Sequence, residues 1–245
     1  MSVMLQIDNV SRAFGGIVAV YNCSMNIEQG KITGLIGPNG SGKTTLFNLI
    51  TGVYPPDQGS VSLRGERITG LRPSQLCHRG LSRTFQITRL FWELSVLENM
   101  IVPVRQVGLR PLFGASIHSH EASRAMELLR RVGLEHMANQ PARKLSFGQQ
   151  KLLEFAAILM SDPDAILLDE PAGGVNPTMI RFMMELITEL NAQQGITFLI
   201  VEHNMGVVME LCQHVVVLNF GEKIAEGTPV QVQANPLVLD AYLGN

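Results

Sequence analysis

Nine consecutive residues carry the clearest chemical signal in the chain: Gly37, Pro38, Asn39, Gly40, Ser41, Gly42, Lys43, Thr44 and Thr45. The first eight match G-x-x-x-x-G-K-[ST], a loop whose backbone N–H groups turn inward on a phosphate chain. The loop follows the apolar run Ile32–Ile36 and precedes a helical run at Thr45–Leu49. A helix start adds the positive end of its dipole. Lys43 is then expected to reach the β- and γ-phosphates, and the Thr44 hydroxyl to ligate Mg²⁺. By itself this implies a nucleotide triphosphatase of unspecified kind.

Two further clusters could act on a bound nucleotide. Ala165–Asp169 reads as a buried strand ending in an acid, followed at once by Glu170. A carboxylate on so apolar a strand needs a partner, and Mg²⁺ at the phosphate loop is the natural one. Strand alternation is expected to send neighbouring side chains to opposite faces. Asp169 would then hold the metal through its water, and Glu170 would polarise the attacking water. Leu145-Ser-Phe-Gly-Gln-Gln150 opens a helical stretch, Lys151–Met160, with Ser146 and Gln149 spaced as a capping box. A capped, glycine-containing helix start is also a site for an anion.

The elements that must position these groups alternate. Short β-branched runs at Ile32–Ile36, Ile166–Leu168, Ile196–Val201 and Val215–Leu218 predict buried strands. Helical periodicity predicts helices over Thr178–Gln194, capped by Asn176 and started by Pro177, and from Glu121 to Val132, stopped at Gly133. This alternation implies an α/β fold with a mostly parallel sheet covered on both sides. Leu5, Ile7, Val18, Val20, Val61 and Leu63 instead lie in short alternating segments, which predict antiparallel strands.

Composition narrows the class. The 245 residues include 46% hydrophobic and only 16% charged residues, with a net charge of -2. That content excludes a disordered chain and a strongly basic nucleic-acid binder. Cys23, Cys77 and Cys212 are too few and too scattered for a disulfide scaffold, and read as three inert buried thiols in a reducing setting. No run is long and apolar enough for a membrane span, and Met1–Gln6 lacks the pattern of a signal peptide. Charge is segmental: residues 64–131 hold eleven arginines against five acids, and residues 152–245 hold twelve acids against two bases.

In order and spacing, the phosphate loop, Gln86, the Leu145–Gln149 segment, the Asp169–Glu170 pair and His203 resemble the ATP-binding cassette family of transporter ATPases. The resemblance covers essentially the whole chain. It implies a P-loop cassette fold: a mostly parallel core, an N-terminal antiparallel β subdomain and a helical subdomain at about 88–160. A C-terminal tail would occupy about 228–245. It implies ATP and Mg²⁺ as ligands, with Thr44, Gln86 and Asp169 at the metal and Glu170, His203 and Gln86 at the reacting phosphate. Phe14 would stack on adenine. Two cassettes would pair head to tail, so that Ser146, Gly148 and Gln149 of one close over the nucleotide of the other. Gln86 would also sense the membrane partner.

Two positions depart from the family pattern. Phe147 stands where a glycine is usual, and Gly173-Gly-Val-Asn176 stands where Ser-Ala-Leu-Asp is common. Arg83–Phe91, Ser95–Asn99, Glu170–Pro177 and the ending Ala241-Tyr-Leu-Gly244 look like the ATPase subunits of branched-chain and neutral amino-acid importers. That branch implies permease subunits, an indirect substrate-binding protein, no nucleic acid, and peripheral attachment at the cytoplasmic face of the inner membrane. An apolar cluster of Thr88, Leu90, Phe91, Trp92 and Leu94 would form the docking groove. Similar cassettes serve other cargo, including lipid or lipopolysaccharide export, and soluble assembly ATPases share the ATP motifs. One covered face against a second cassette and another against a membrane subunit would account for the low charge.

Overall fold

The computed structural model describes residues 2–84, 90–103 and 119–243. The chain opens with two long antiparallel strands, β1 (Val3–Phe14) and β2 (Ile17–Glu28), in place of the short segments expected. Bulges along their pairing let the hairpin bend and still bury Leu5, Ile7 and Val20 on one face. Strands β4 (Gln58–Leu63) and β5 (Glu66–Arg67) complete a four-stranded sheet ordered β2-β1-β4-β5.

The second sheet holds the four predicted buried strands. They are β3 (Ile32–Ile36), β7 (Ala165–Asp169), β8 (Thr197–Val201) and β9 (His214–Asn219). With β6 (Leu81–Arg83) and β10 (Glu222–Gly227) the order is β10-β9-β3-β8-β7-β6. All neighbours run parallel except β10, which returns antiparallel beside β9.

Side-chain alternation sorts each of these strands into two cores. Ile166, Leu168, Phe198, Ile200, Val215 and Val217 join the helical side. Leu167, Leu199, Val216 and Leu218 face the antiparallel sheet instead. Helix α1 (Lys43–Ile50) lies in that second core, with Leu46 and Phe47 fully buried. The first helix after the phosphate loop is therefore clamped between the two sheets. This holds the loop against a rigid base.

On the other side, α3 (Val96–Ile101), α4 (Ser119–Arg131) and α5 (Phe147–Leu159) pack on one another. Within α3, Asn99 is buried and pins the preceding Phe91–Ser95 turn, donating to the carbonyls of Phe91 and Ser95. Helix α6 (Pro177–Gln194) begins as expected, with Asn176 Oδ1 accepting from the Met179 N–H. It ends at Gly195. The short helices α2 (Pro73–Cys77), α7 (Met205–Leu211), α8 (Pro229–Gln233) and α9 (Pro236–Leu243) fill the edges. No described helix is long and apolar enough to cross a membrane.

The thiols are not all alike. Cys23 and Cys212 are buried, and burial pushes them up to about 11 and about 12. Cys77 is only half-buried, because its short helix lies at the wall of an open cavity. The expectation of three buried thiols therefore fails at Cys77.

Candidate active site

Parallel strands bring their carboxyl ends to one edge of the sheet, where ligands of open α/β folds bind. The phosphate loop leaves β3 there, Asp169 ends β7, and His203 lies just past β8. Backbone geometry shapes the loop. Gly42, at the N-terminus of α1, has φ +97°. A Cβ there would sit 2.4 Å from the Ala19 carbonyl oxygen of β2. Only glycine lets the hairpin and the loop approach so closely. From the other side, the Gly221 N–H of the β9–β10 turn donates to the Ser41 carbonyl.

Within the loop Gly37 is buried, Asn39 and Gly40 are exposed, and Pro38 is intermediate. Thr44 is exposed and Thr45 partly so, which leaves the Thr44 hydroxyl accessible. Lys43 turns back on the loop. Its Nζ donates to the carbonyls of Gly37 and Pro38, both at 2.8 Å. Burial lowers its pKa, and the charges of Glu170 and Asp169 oppose that shift. The lysine thus lies within electrostatic reach of both carboxylates.

Asp169 is buried, and burial, then the Glu170 charge, raises its carboxyl above the usual range. The charges of Arg83 and Lys151 oppose that shift. A strand-end carboxylate at the sheet edge that also carries the phosphate loop and the exposed Thr44 fits a hard divalent cation.

Glu170 departs from the expected geometry. Strand β7 ends at Asp169, and Glu170 has φ +49°, in the left-handed region. Strand alternation therefore does not separate the two side chains. A tight turn at Glu170 does so, and it brings Glu170 Oε1 to 3.6 Å from His203 Nδ1. Three hydrogen bonds fix this backbone. Glu170 N–H donates to the Val201 carbonyl at 2.9 Å, and its own carbonyl accepts from Lys151 Nζ and from the Gly173 N–H, each at 3.0 Å.

The capping box at Ser146 forms as read. Ser146 Oγ accepts from the Gln149 N–H, and Gln149 Oε1 accepts from the Ser146 N–H. Gly148 faces Met179 and Val175 rather than the phosphate loop. The structure thus brings the phosphate loop, Asp169, Glu170 and His203 to one sheet edge, and leaves Ser146 and Phe147 exposed. Phe14 is 39% exposed at the end of β1, edge-on to Tyr54 at 5.5 Å, with the Arg12 guanidinium 5.0 Å over its ring. It stays partly exposed on the hairpin that touches the loop. Gln86 lies outside the described residues.

Three residues were not legible as site residues. Glu202 is fully buried and accepts backbone N–H groups from two loops. The signal for it was the one that marked Asp169, an acid ending a buried strand. Lys151 binds the Glu170 carbonyl and lies 5.4 Å from the Phe147 ring, one helical turn away. Arg83 donates to Asn48 Oδ1 at 2.8 Å and Thr51 Oγ1 at 2.6 Å and stacks on Phe47, gripping α1 from behind.

Comparison with known proteins now decides the family. The model of the ABC transporter family matches residues 20–173. The chain belongs to the ABC transporter family. A second model, the branched-chain amino acid ATP-binding cassette transporter, matches residues 222–245 and places the chain in that branch as an ATP-binding subunit. The ABC chain is similar to the high-affinity branched-chain amino acid transport ATP-binding protein LivG of Salmonella typhimurium, 39% identical over 98% of both chains. Among solved structures, it superposes with TM-score 0.89 on an ATP-binding cassette of an ABC transporter in its ADP conformation. The two share 35% identity over 100% of each chain. A dimeric ATP-binding cassette with bound ADP and Pi, in a post-hydrolysis state, gives TM-score 0.80 and 29% identity over 92% of this chain and 99% of its own.

Proposed function

We propose that this cassette hydrolyses ATP as one of a closed pair and so drives uptake of branched-chain or neutral amino acids through membrane permease subunits. The observation that carries the reading is the convergence of the phosphate loop, Asp169, Glu170 and His203 at one sheet edge, with Ser146 at the capped start of α5 left exposed. An exposed, capped helix start suits action on a second cassette.

The chain's own groups divide the work. Loop N–H groups bind the phosphates, and Lys43 exchanges the Gly37 and Pro38 carbonyls for phosphate oxygens. Thr44 and Asp169, joined by Gln86, would hold Mg²⁺, which when bound neutralises charge building on the phosphate oxygens. Glu170 orients and polarises the attacking water, and His203, beside it, reaches toward the γ-phosphate. Phe14 stacks on adenine. Ser146, Gly148 and Gln149 close over the partner cassette's nucleotide. Helices α3 to α5 form the moving helical subdomain.

The permease would dock where Phe91 and Trp92 are exposed. Beside them lies a largely apolar cavity of about 240 Å³ lined by Leu76, Leu90, Phe91, Ala157 and Ile158. Attachment there would hold the cassette peripherally at the cytoplasmic membrane face. The test is reconstitution with its permease subunits and binding protein in vesicles. ATP-dependent accumulation of labelled leucine, abolished by Glu170→Gln, is the expected result. A cassette that hydrolyses ATP but associates with no membrane protein would overturn the transport reading and favour a soluble assembly ATPase.

A further inference from the structure

Glu202 stands between the two loops that carry the reacting side chains. It follows β8 directly and is fully buried. Its Oε1 accepts the Ala172 N–H at 2.8 Å, two residues past Glu170. Its Oε2 accepts the N–H groups of His203 at 3.2 Å and Asn204 at 3.3 Å. One carboxylate thus ties the loop after β7 to the loop after β8.

A buried carboxylate is expensive, and an apolar residue at the end of a buried strand would cost nothing comparable. The geometry it secures is itself unfavourable. Glu170 lies in the left-handed region, which a glutamate adopts only when its surroundings over-determine it. Glu202 supplies one of the constraints on that loop, beside the bond from the Glu170 N–H to the Val201 carbonyl and the bond from Lys151 to the Glu170 carbonyl.

We infer that Glu202 is the positioning residue of the hydrolytic site: it holds Glu170 and His203 in register with each other and so sets the geometry of the attacking water. The inference rests on the proposed roles of Glu170 and His203. It requires both carboxylate oxygens as acceptors. Glutamine keeps one acceptor and presents an N–H₂ group to backbone donors. Aspartate keeps both acceptors but is one methylene too short to span the two loops.

The experiment measures ATP turnover, nucleotide binding and thermal melting for Glu202→Gln and Glu202→Asp, alone and combined with His203→Ala. Displacing reacting groups by about 1 Å can cost about a hundredfold in rate, so a fall in kcat of roughly tenfold to a hundredfold is expected. The KM for ATP should stay near the native value, because the phosphate loop is untouched. Combined with His203→Ala, either substitution should cost much less than it does alone, since both act on one geometry. Folded variants that turn over at the native rate, or losses that simply multiply with His203→Ala, would overturn the inference. If neither variant folds, Glu202 serves stability and the inference is wrong. Native turnover in Glu170→Gln or His203→Ala would instead defeat the parent reading, whatever Glu202 does.

Discussion

Phe147 sets one edge of its ring against Gly174: a Cβ at Gly174 would sit 2.9 Å from Phe147 Cε1. The two departures from the family pattern, 27 residues apart in sequence, are therefore one contact. The phenyl ring fills space above a glycine that has no side chain, with Lys151 Nζ 5.4 Å from the ring. Because Lys151 also holds the Glu170 carbonyl, the signature helix and the turn that presents Glu170 are joined within one chain.

Gly174→Ala tests what the glycine provides. Gly174 has φ +72°, so alanine there should cost about 1–2 kcal/mol from backbone strain. The ring can swing aside, so the steric part is small. Adding Phe147→Gly should therefore leave most of the loss in place, as read from urea denaturation midpoints. Full recovery in the double variant would show that the ring clash dominates.

Glu170→Gln separates binding from chemistry. It removes the carboxylate that polarises water and leaves the phosphate loop intact. Turnover should fall by roughly 10²–10⁴-fold, the usual worth of a general base. ATP affinity should persist, and size-exclusion chromatography with ATP should show an accumulated dimer. Unchanged turnover would remove Glu170 from its role.

Arg83 supports the phosphate-loop helix through Asn48, Thr51 and Phe47. Lysine lacks the planar guanidinium that lies over Phe47 and the Nε–H that donates to the Thr84 carbonyl, so even Arg83→Lys is not conservative. Losing charge-assisted bonds of this kind costs about 1.5–3 kcal/mol, measurable as a lower unfolding free energy. Weakened ATP binding should accompany it, because α1 carries Lys43 and Thr44.

The buried thiols make stability fall at alkaline pH. Cys23 is raised from 9.0 to about 11 in the folded chain. Between those values the folded state keeps a proton that the unfolded state has lost, so stability decreases as pH rises. Cys23→Ala should flatten that slope while lowering stability at neutral pH through the cavity it leaves. At mildly alkaline pH, iodoacetamide should label Cys77 in the native protein and all three thiols only after unfolding.

Much of the site was legible because its signals are local. Gly37–Thr44 are adjacent, and only a strand-loop-helix context makes sense of them. The buried runs Ile32–Ile36 and Ala165–Asp169 announce themselves by length and apolarity, since a strand covered on both faces has no polar side to show. The cap at Ser146 needs only a three-residue spacing. What tertiary structure alone decided depends on chain segments far apart. Glu170 leaves the strand for the left-handed region, so a turn takes the place of strand alternation there; its N–H donates to the Val201 carbonyl and its carbonyl accepts from Lys151, and these bonds outweigh local preference. Glu202 and Arg83 look like ordinary strand-end charges until parallel register places one between two loops and the other beneath α1. Sequence by itself determined the phosphate chemistry and the strands that carry it. The contact between Glu170 and His203, and the side chains that hold it, were set only when the sheet assembled, because no short-range pattern encodes a contact between loops on different strands.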